Sequence, residues 1–259
     1  MLENKNAIIY GAAGSIGSAV ARTFARHGAT VHLAGRTRQT LEAVAADIAA
    51  AGGRAEVAVV DALDERAVRA HAEGVVERAG SLDVSFNLVS RGDMHGVPLT
   101  EMPAEDFLRP VTTAITANFL TARTAAKLMS AQGSGVVLAL NSGSAKGSPM
   151  MGGTGPADAA MDALVRNLAQ EAGPSGVRVV GIWTAGLPET LTREKLAATG
   201  MDLDDAAREG LFEQLAGMRM LRRSPTLDQV AGTAAFLASD AAGAITATFV
   251  NATSGVFAD

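Results

Sequence analysis

The chain contains no cysteine. That excludes a disulfide framework, a thiolate nucleophile, cysteine-ligated zinc and an iron–sulfur cluster. Its four histidines, His27, His32, His71 and His95, are scattered without metal-ligand spacing, so no metal site is expected. Aromatic residues are only 4% of the 259, with a single tyrosine, Tyr10. No apolar run reaches the roughly 18 residues of a membrane-spanning helix. The opening Met1-Leu2-Glu3-Asn4-Lys5-Asn6 lacks the basic start, long apolar core and small-residue cleavage site of a secretory signal. Positive charge is also scarce: the net charge is −5 and the pI near 5.4, against the basic footprint of a general nucleic-acid binder. The expectation is a cytoplasmic protein with neither a membrane nor a nucleic-acid partner.

What is present is a folded chain, 48% hydrophobic and 19% charged. Its length suits one α/β domain, which at about 250 residues buries roughly 70–75% of its unfolded surface. Short apolar segments alternate with amphipathic ones. Ala7 to Tyr10 reads as a strand buried on both faces, followed by a glycine turn and a helix with Ile16, Val20 and Phe24 on one face. Further strands are expected at 30–34, 55–60, 82–87, 135–140, 177–182 and 247–250. Helices are expected at 37–51, 63–79, 104–131, 157–172 and 228–238, with Pro110 bending or restarting the third of these. The pattern predicts a Rossmann-like, doubly wound parallel sheet of about seven strands, with helices on both faces, in a single domain spanning 1–259. Ligands of such sheets sit beyond the carboxyl ends of the strands.

Gly11-Ala12-Ala13-Gly14-Ser15-Ile16-Gly17 falls in the first strand-to-helix turn. Glycines there allow a tight turn and close approach to a diphosphate, which the new helix's free N–H groups then face. A purely structural turn would carry similar residues. The second strand ends Ala34-Gly35-Arg36-Thr37. An acidic group at this distance would accept from a ribose 2′-hydroxyl; here Gly35 stands in that place and Arg36 follows, and a guanidinium suits a 2′-phosphate. A solvated arginine at a helix start is the alternative. NADP(H) is the expected cofactor.

With these residues in view, the chain resembles the classical short-chain dehydrogenase/reductase family over essentially its whole length. Val59-Val60-Asp61 resembles the third-strand end that touches adenine in that family, with Ala62 beside it. Asn87 keeps the first position of its Asn-Asn-Ala-Gly signature. Leu168-Ala169-Gln170-Glu171 with Gly176-Val177-Arg178-Val179 is similar to its join into the sixth strand. Ala185-Gly186-Leu187-Pro188-Glu189-Thr190 is similar to the loop that cups nicotinamide. Phe236-Leu237-Ala238-Ser239-Asp240 and Ser254-Gly255 resemble its C-terminal segment. By this resemblance Gly11, Ala13, Gly14, Ser15, Ile16, Gly17, Arg36, Asp61, Ala62, Asn87, Gly186 and Thr190 would hold the cofactor. Residues 187–220 would form a substrate lid, and a homo-oligomer, dimer or tetramer, is implied.

The resemblance fails at the chemical end. The family reduces carbonyls with an Asn, a Ser, a Tyr and a Lys, the last two in Tyr-x-x-x-Lys. Tyr10 lies in the first strand, so no such motif exists here. Counting back from Glu171 puts Thr154 at the tyrosine place and Asp158 at the lysine place. Ala114 falls at the asparagine place, with Asn118 one turn away. A differently spaced Tyr and Lys, as in the divergent enoyl-acyl-carrier reductases, would fall on Met151 and Asp158. Ser142 survives, although Asn141 has the commoner spacing to Thr154. A threonine hydroxyl is too weak an acid to replace an activated phenol, and an aspartate raises a neighbouring acid's pKa. Asp158 can still accept from ribose hydroxyls. Pro188 lacks the N–H that the family offers to the carboxamide.

Candidate replacements for the relay are Ser142, Lys146 and His95, all in loops on the ligand side. A solvated loop lysine and a surface-loop histidine fit the same positions, and Arg91 and Asp93 fit a simple ion pair. Three readings remain open. One is an NADP(H)-dependent oxidoreductase acting on a carbonyl, hydroxyl or enoyl small molecule, with a non-standard proton donor. The second is a nucleotide-binding or regulatory protein. The third is a lyase or isomerase on the same fold.

Overall fold

The computed structural model describes residues 1–198 and 201–258; residues 199 and 200 of the expected lid lie outside the described residues. Seven parallel strands form one sheet, in order β3-β2-β1-β4-β5-β6-β7. They are β1 (Asn6–Tyr10), β2 (Thr30–Gly35), β3 (Arg54–Val59), β4 (Val84–Asn87), β5 (Gly135–Asn141), β6 (Val177–Trp183) and β7 (Phe249–Asn251). This is the doubly wound single domain read from the alternating pattern. The direction of winding reverses between β1 and β4, whose last residues Tyr10 and Asn87 are register partners. The two loops leaving these strands therefore open into one crevice.

Helices α1 (Ser15–Arg26), α2 (Arg38–Ala50) and α8 (Leu227–Ala238) cover one face of the sheet. Helices α3 (Glu65–Ala79), α4 (Ala104–Gln132) and α5 (Thr154–Ala172) cover the other. The first core gathers Ile9, Phe24, Leu33 and Phe86; the second gathers Ile8, Tyr10, Met129 and Trp183. Ile8 and Ile9 point to opposite sides because strand side chains alternate, which is why successive residues of β1 from Ala7 on are apolar. Burying Phe24 completely is worth about 3–5 kcal/mol against alanine. Two short helices, α6 (Arg193–Ala198) and α7 (Asp205–Gly217), follow β6.

Two helix boundaries depart from the sequence reading. α4 runs unbroken through Pro110. The missing N–H costs one bond in a helix of 29 residues, and the proline is buried where its ring closes against Gly153. α5 starts at Thr154, one turn earlier than expected. Gly155 and Pro156 read as breakers, but in a first turn the proline's absent N–H has no intrahelical partner to lose. The earlier start puts Thr154 and Asp158 four residues apart on one helical face.

Candidate active site

The turn after β1 is shaped by glycine. Gly11 has φ +72, and a Cβ there would lie 2.6 Å from the Leu88 carbonyl oxygen. Gly17 presses on the Gly11 carbonyl in the same way, so it is packed behind the turn. Gly14 caps α1 and leaves the Ser15 and Ile16 amides as the open end of the helix. In front of this turn lies a cleft of about 510 Å³, lined by Gly11, Ala13, Gly14, Arg36, Asp61 and Ala62 and closed at its inner end by Arg91 and Gly92. Asp61 spends one oxygen on the Leu63 N–H at 3.0 Å. Asn87 is buried; its Oδ1 accepts from Val89 N at 3.1 Å and its Nδ2 has no partner among the described residues. The room, the exposed helix end and the arginine together fit a dinucleotide.

Past Arg91 the crevice holds a continuous polar network. Asp158 is fully buried. Its Oδ2 accepts from Ser142 N at 3.0 Å, Ser142 Oγ at 2.7 Å and Ser144 N at 2.9 Å. Its Oδ1 accepts from Arg91 Nη1 at 2.6 Å. An ionised carboxylate only accepts, so the Ser142 hydrogen goes to Asp158, and Ser144 Oγ, 2.6 Å from Ser142 Oγ, must donate to it. Both serine protons are thereby committed. Being fully buried, Asp158 presents no oxygen to a ribose in this arrangement; it anchors the loop after β5 instead. Asn141 faces the other way and donates to Asp162 at 2.8 Å, so Ser142 is the residue that reaches the network.

Arg91 also holds Asp93, through Nε at 3.3 Å from Oδ2 and Nη2 at 3.2 Å from Oδ1. Burial alone would lower the Arg91 pKa, but Asp93 and Asp158 outweigh it and raise it above the ordinary value, so the guanidinium is charged. Thr154, 1% exposed, donates its hydroxyl proton to Asp93 Oδ1 at 2.6 Å. His95 Nε2 lies 3.2 Å from Thr154 Oγ1. With the threonine proton spent on Asp93, the contact requires His95 Nε2 to carry the hydrogen, and the neutral ring presents Nδ1 as a bare acceptor. Burial lowers the His95 pKa below the usual imidazole range; Asp93 works against that shift and Arg91 with it.

The structure thus joins Ser142, Asp158, Arg91, Asp93, Thr154 and His95. Lys146 sits on the aromatic cluster of the C-terminal segment, its Nζ 4.9 Å from the Trp183 ring centre and 5.2 Å from that of Phe257. Gly186 has φ +49, and its carbonyl accepts from Arg219 Nη2 at 2.9 Å. Thr190 donates to Leu187 O at 2.8 Å, closing its own turn. Over the glycine turn, Lys195 Nζ lies 2.6 Å from Ser15 Oγ. Arg91 and Asp93 are the residues that sequence reasoning undervalued. The available signal was a carboxylate at the lysine place, which needs a cation from somewhere if it is buried.

A family model described as enoyl-(acyl carrier protein) reductase matches residues 11–256. The chain belongs to the short-chain dehydrogenase/reductase family. It is 32% identical over 263 aligned residues to an L-rhamnose 1-dehydrogenase (NAD(P)(+)) of Azotobacter vinelandii, covering 99% of this chain and 98% of that one. Among solved structures it is similar to an NAD+-bound xylitol dehydrogenase, with a TM-score of 0.87, 25% identity, and coverage of 98% and 99%. It is also similar to a 7α-hydroxysteroid dehydrogenase complexed with NADH and a 7-oxo bile acid, with a TM-score of 0.83, 27% identity, and coverage of 98% and 94%. Members of this family bind nicotinamide cofactors, and in this chain the cleft in front of Gly11 lies at the switch point of the sheet. Among the described residues no helix is long and apolar enough to cross a membrane.

Proposed function

We propose that this short-chain dehydrogenase/reductase is an NADP(H)-dependent oxidoreductase that interconverts a hydroxyl and a carbonyl on a small molecule, with His95 as its acid–base group. The observation that supports it most is the hydrogen-bonded chain His95–Thr154–Asp93, held beside Arg91 at the inner end of the cleft. Bound nicotinamide would supply or accept the hydride. The chain's own residues handle the rest. The Ser15 and Ile16 amides face the diphosphate, Arg36 the 2′-phosphate, and Asp61 and Ala62 the adenine, while the Gly14 N–H closes the turn on Gly11 O at 3.0 Å. Asn87, Gly186 and Thr190 border the nicotinamide side. Residues 187–220 act as the lid, a reading favoured by the Lys195–Ser15 contact. Ser142 positions Asp158 and, through it, Arg91. The protein works in the cytoplasm as a homo-oligomer.

In oxidation His95 Nδ1 takes the hydroxyl proton while Thr154 and Asp93 hold the ring. This step needs the neutral imidazole, which its lowered pKa favours. Oxidation rate therefore rises with pH through a pKa below the usual imidazole value and is flat above it, and carbonyl reduction shows the opposite limb. The test is NADP+ reduction and NADPH oxidation across a panel of polyols, hydroxysteroids, ketones and enoyl thioesters. His95→Gln should lower kcat by about 10²–10⁴-fold with NADPH affinity kept. NADPH binding with no turnover on any of them, in a protein whose Ser142 proton is already committed, would favour a nucleotide-binding regulator instead.

A further inference from the structure

Arg91 stands at the inner end of the cleft with Asp93 held beside it, and the pair has donors and acceptors left over. A guanidinium has five N–H groups. One goes to Asp158 Oδ1 at 2.6 Å, one to Asp93 Oδ2 at 3.3 Å, and a third lies against Asp93 Oδ1 at 3.2 Å. Two remain, one on each terminal nitrogen, and Arg91 lines the cleft with 18% of its side chain exposed. Asp93 is 21% exposed; its Oδ1 is taken by Thr154 and Arg91, while its Oδ2 has a single donor and keeps a lone pair. His95 adds the bare Nδ1.

The charges decide what such a site takes. Two carboxylates surround one guanidinium, so the cluster carries a net negative charge and disfavours an anion. A lone carbonyl would use the donors and leave the Asp93 lone pair unmet, which is costly in a half-closed site. A hydroxyl both accepts and donates. Two neighbouring hydroxyls match a planar guanidinium–carboxylate pair, one accepting from each N–H and one donating to Asp93. We propose that Arg91 and Asp93 form a subsite for a vicinal diol. The inference rests on the cleft being the nucleotide site, and it names the shared chemistry of two sources: the nicotinamide-side ribose of the cofactor, or a polyhydroxylated substrate.

Binding separates the sources without relying on turnover. The probes are NADPH, adenosine 2′,5′-bisphosphate, ribitol and 1,5-pentanediol, followed by calorimetry for the nucleotides and ligand-observed NMR for the alcohols. Wild-type protein should bind ribitol and not pentanediol. Displacement of ribitol by NADPH identifies the ribose as the occupant; ribitol binding alongside saturating NADPH identifies the substrate. Arg91→Met and Asp93→Asn should weaken the diol ligand at least tenfold and leave adenosine 2′,5′-bisphosphate unchanged. Because Arg91→Met strands the buried Asp158 carboxylate, Arg91→Met with Asp158→Asn is the control that keeps the fold, and it should show the same loss. Unchanged affinity for NADPH and ribitol in all three variants overturns the subsite. If wild-type protein binds ribitol but neither nucleotide, the cofactor reading fails while the variants still decide the subsite.

Discussion

Acidification from pH 7 to pH 5 should cost this fold about 2 kcal/mol through one residue, His71. Its ring lies edge-on to Tyr10, with centroids 6.2 Å apart and planes at 81°. Its Nδ1 is buried with no partner among the described residues. Burial first, then the charges of His32 and Arg78, lower its pKa from 6.5 to about 4, with Glu56 opposing. Between those two values the unfolded chain binds a proton that the folded chain refuses, so stability falls as pH falls from about 6.5 towards 4. At pH 5 the ratio of the two binding polynomials is about 30, which is about 2 kcal/mol, against about 0.2 kcal/mol at pH 7. For a chain of this length that is a Tm lower by about 4 °C. The assay is urea unfolding of wild type and His71→Phe at both pH values. Phenylalanine keeps an edge against Tyr10 and cannot titrate, and the other groups that titrate in this range remain in both proteins. Wild type should lose about 2 kcal/mol more than the variant on acidification. Equal losses would refute the claim that a desolvated imidazole sets the acid limit.

Two further perturbations address the site. Gly17→Ala drives a methyl into the Gly11 carbonyl, so NADPH affinity measured by calorimetry should fall more than tenfold. Thr154→Val keeps the shape but removes the bridge between His95 and Asp93. It should lower kcat at least tenfold and distort the pH limb assigned to His95, with NADPH affinity unchanged.

Much of the architecture was legible because the central strands are short, largely apolar and bounded by polar or glycine turns, and the edge strand β3 still keeps a half-buried apolar stretch at 57–58. β1 is buried at every position, and an apolar run is all that a central parallel strand can be. The start of α5 was not legible, since Gly152, Gly153, Gly155 and Pro156 each oppose a helix interior and only position in a first turn excuses the proline. The turn after β1 was legible for the same reason that it works: a side chain at Gly11 or Gly17 would occupy backbone. The active-site partners were not. Counting residues along α5 singled out Thr154 and Asp158, and both lie in the network, but Arg91 meets Asp158 across 67 positions of sequence. A pairing of that kind is decided by the switch point between β1 and β4, which brings the loop after β4 over the N-terminal end of α5. Arg91 and Asp93, two residues apart, looked self-sufficient as an ion pair, so neither residue pointed beyond itself.

The placement of the cation explains the rest of the site. A fully buried carboxylate loses several kcal/mol of hydration, and only good geometry offsets it. Asp158 has three protein donors on one oxygen and a guanidinium on the other, so its charge is fully solvated by the protein. Two of those donors come from Ser142 and the third from Ser144, which means that the loop after β5 is ordered by the carboxylate and the Ser142 proton points inward. The price is that Ser142 no longer offers a hydrogen to a ligand. What the network presents to the cleft is then Arg91, fixed in plane by two carboxylates, while His95, further along the same loop, is fixed in tautomer by Thr154. A lysine from α5 would supply one mobile ammonium at this point. An arginine from the loop after β4 supplies a flat array of directed N–H groups, while the helix contributes negative charge. That exchange replaces a point charge by a shape. It follows that restoring the lysine alone, in Asp158→Lys, would set an ammonium against Arg91 and disorder both serines rather than recreate a conventional site.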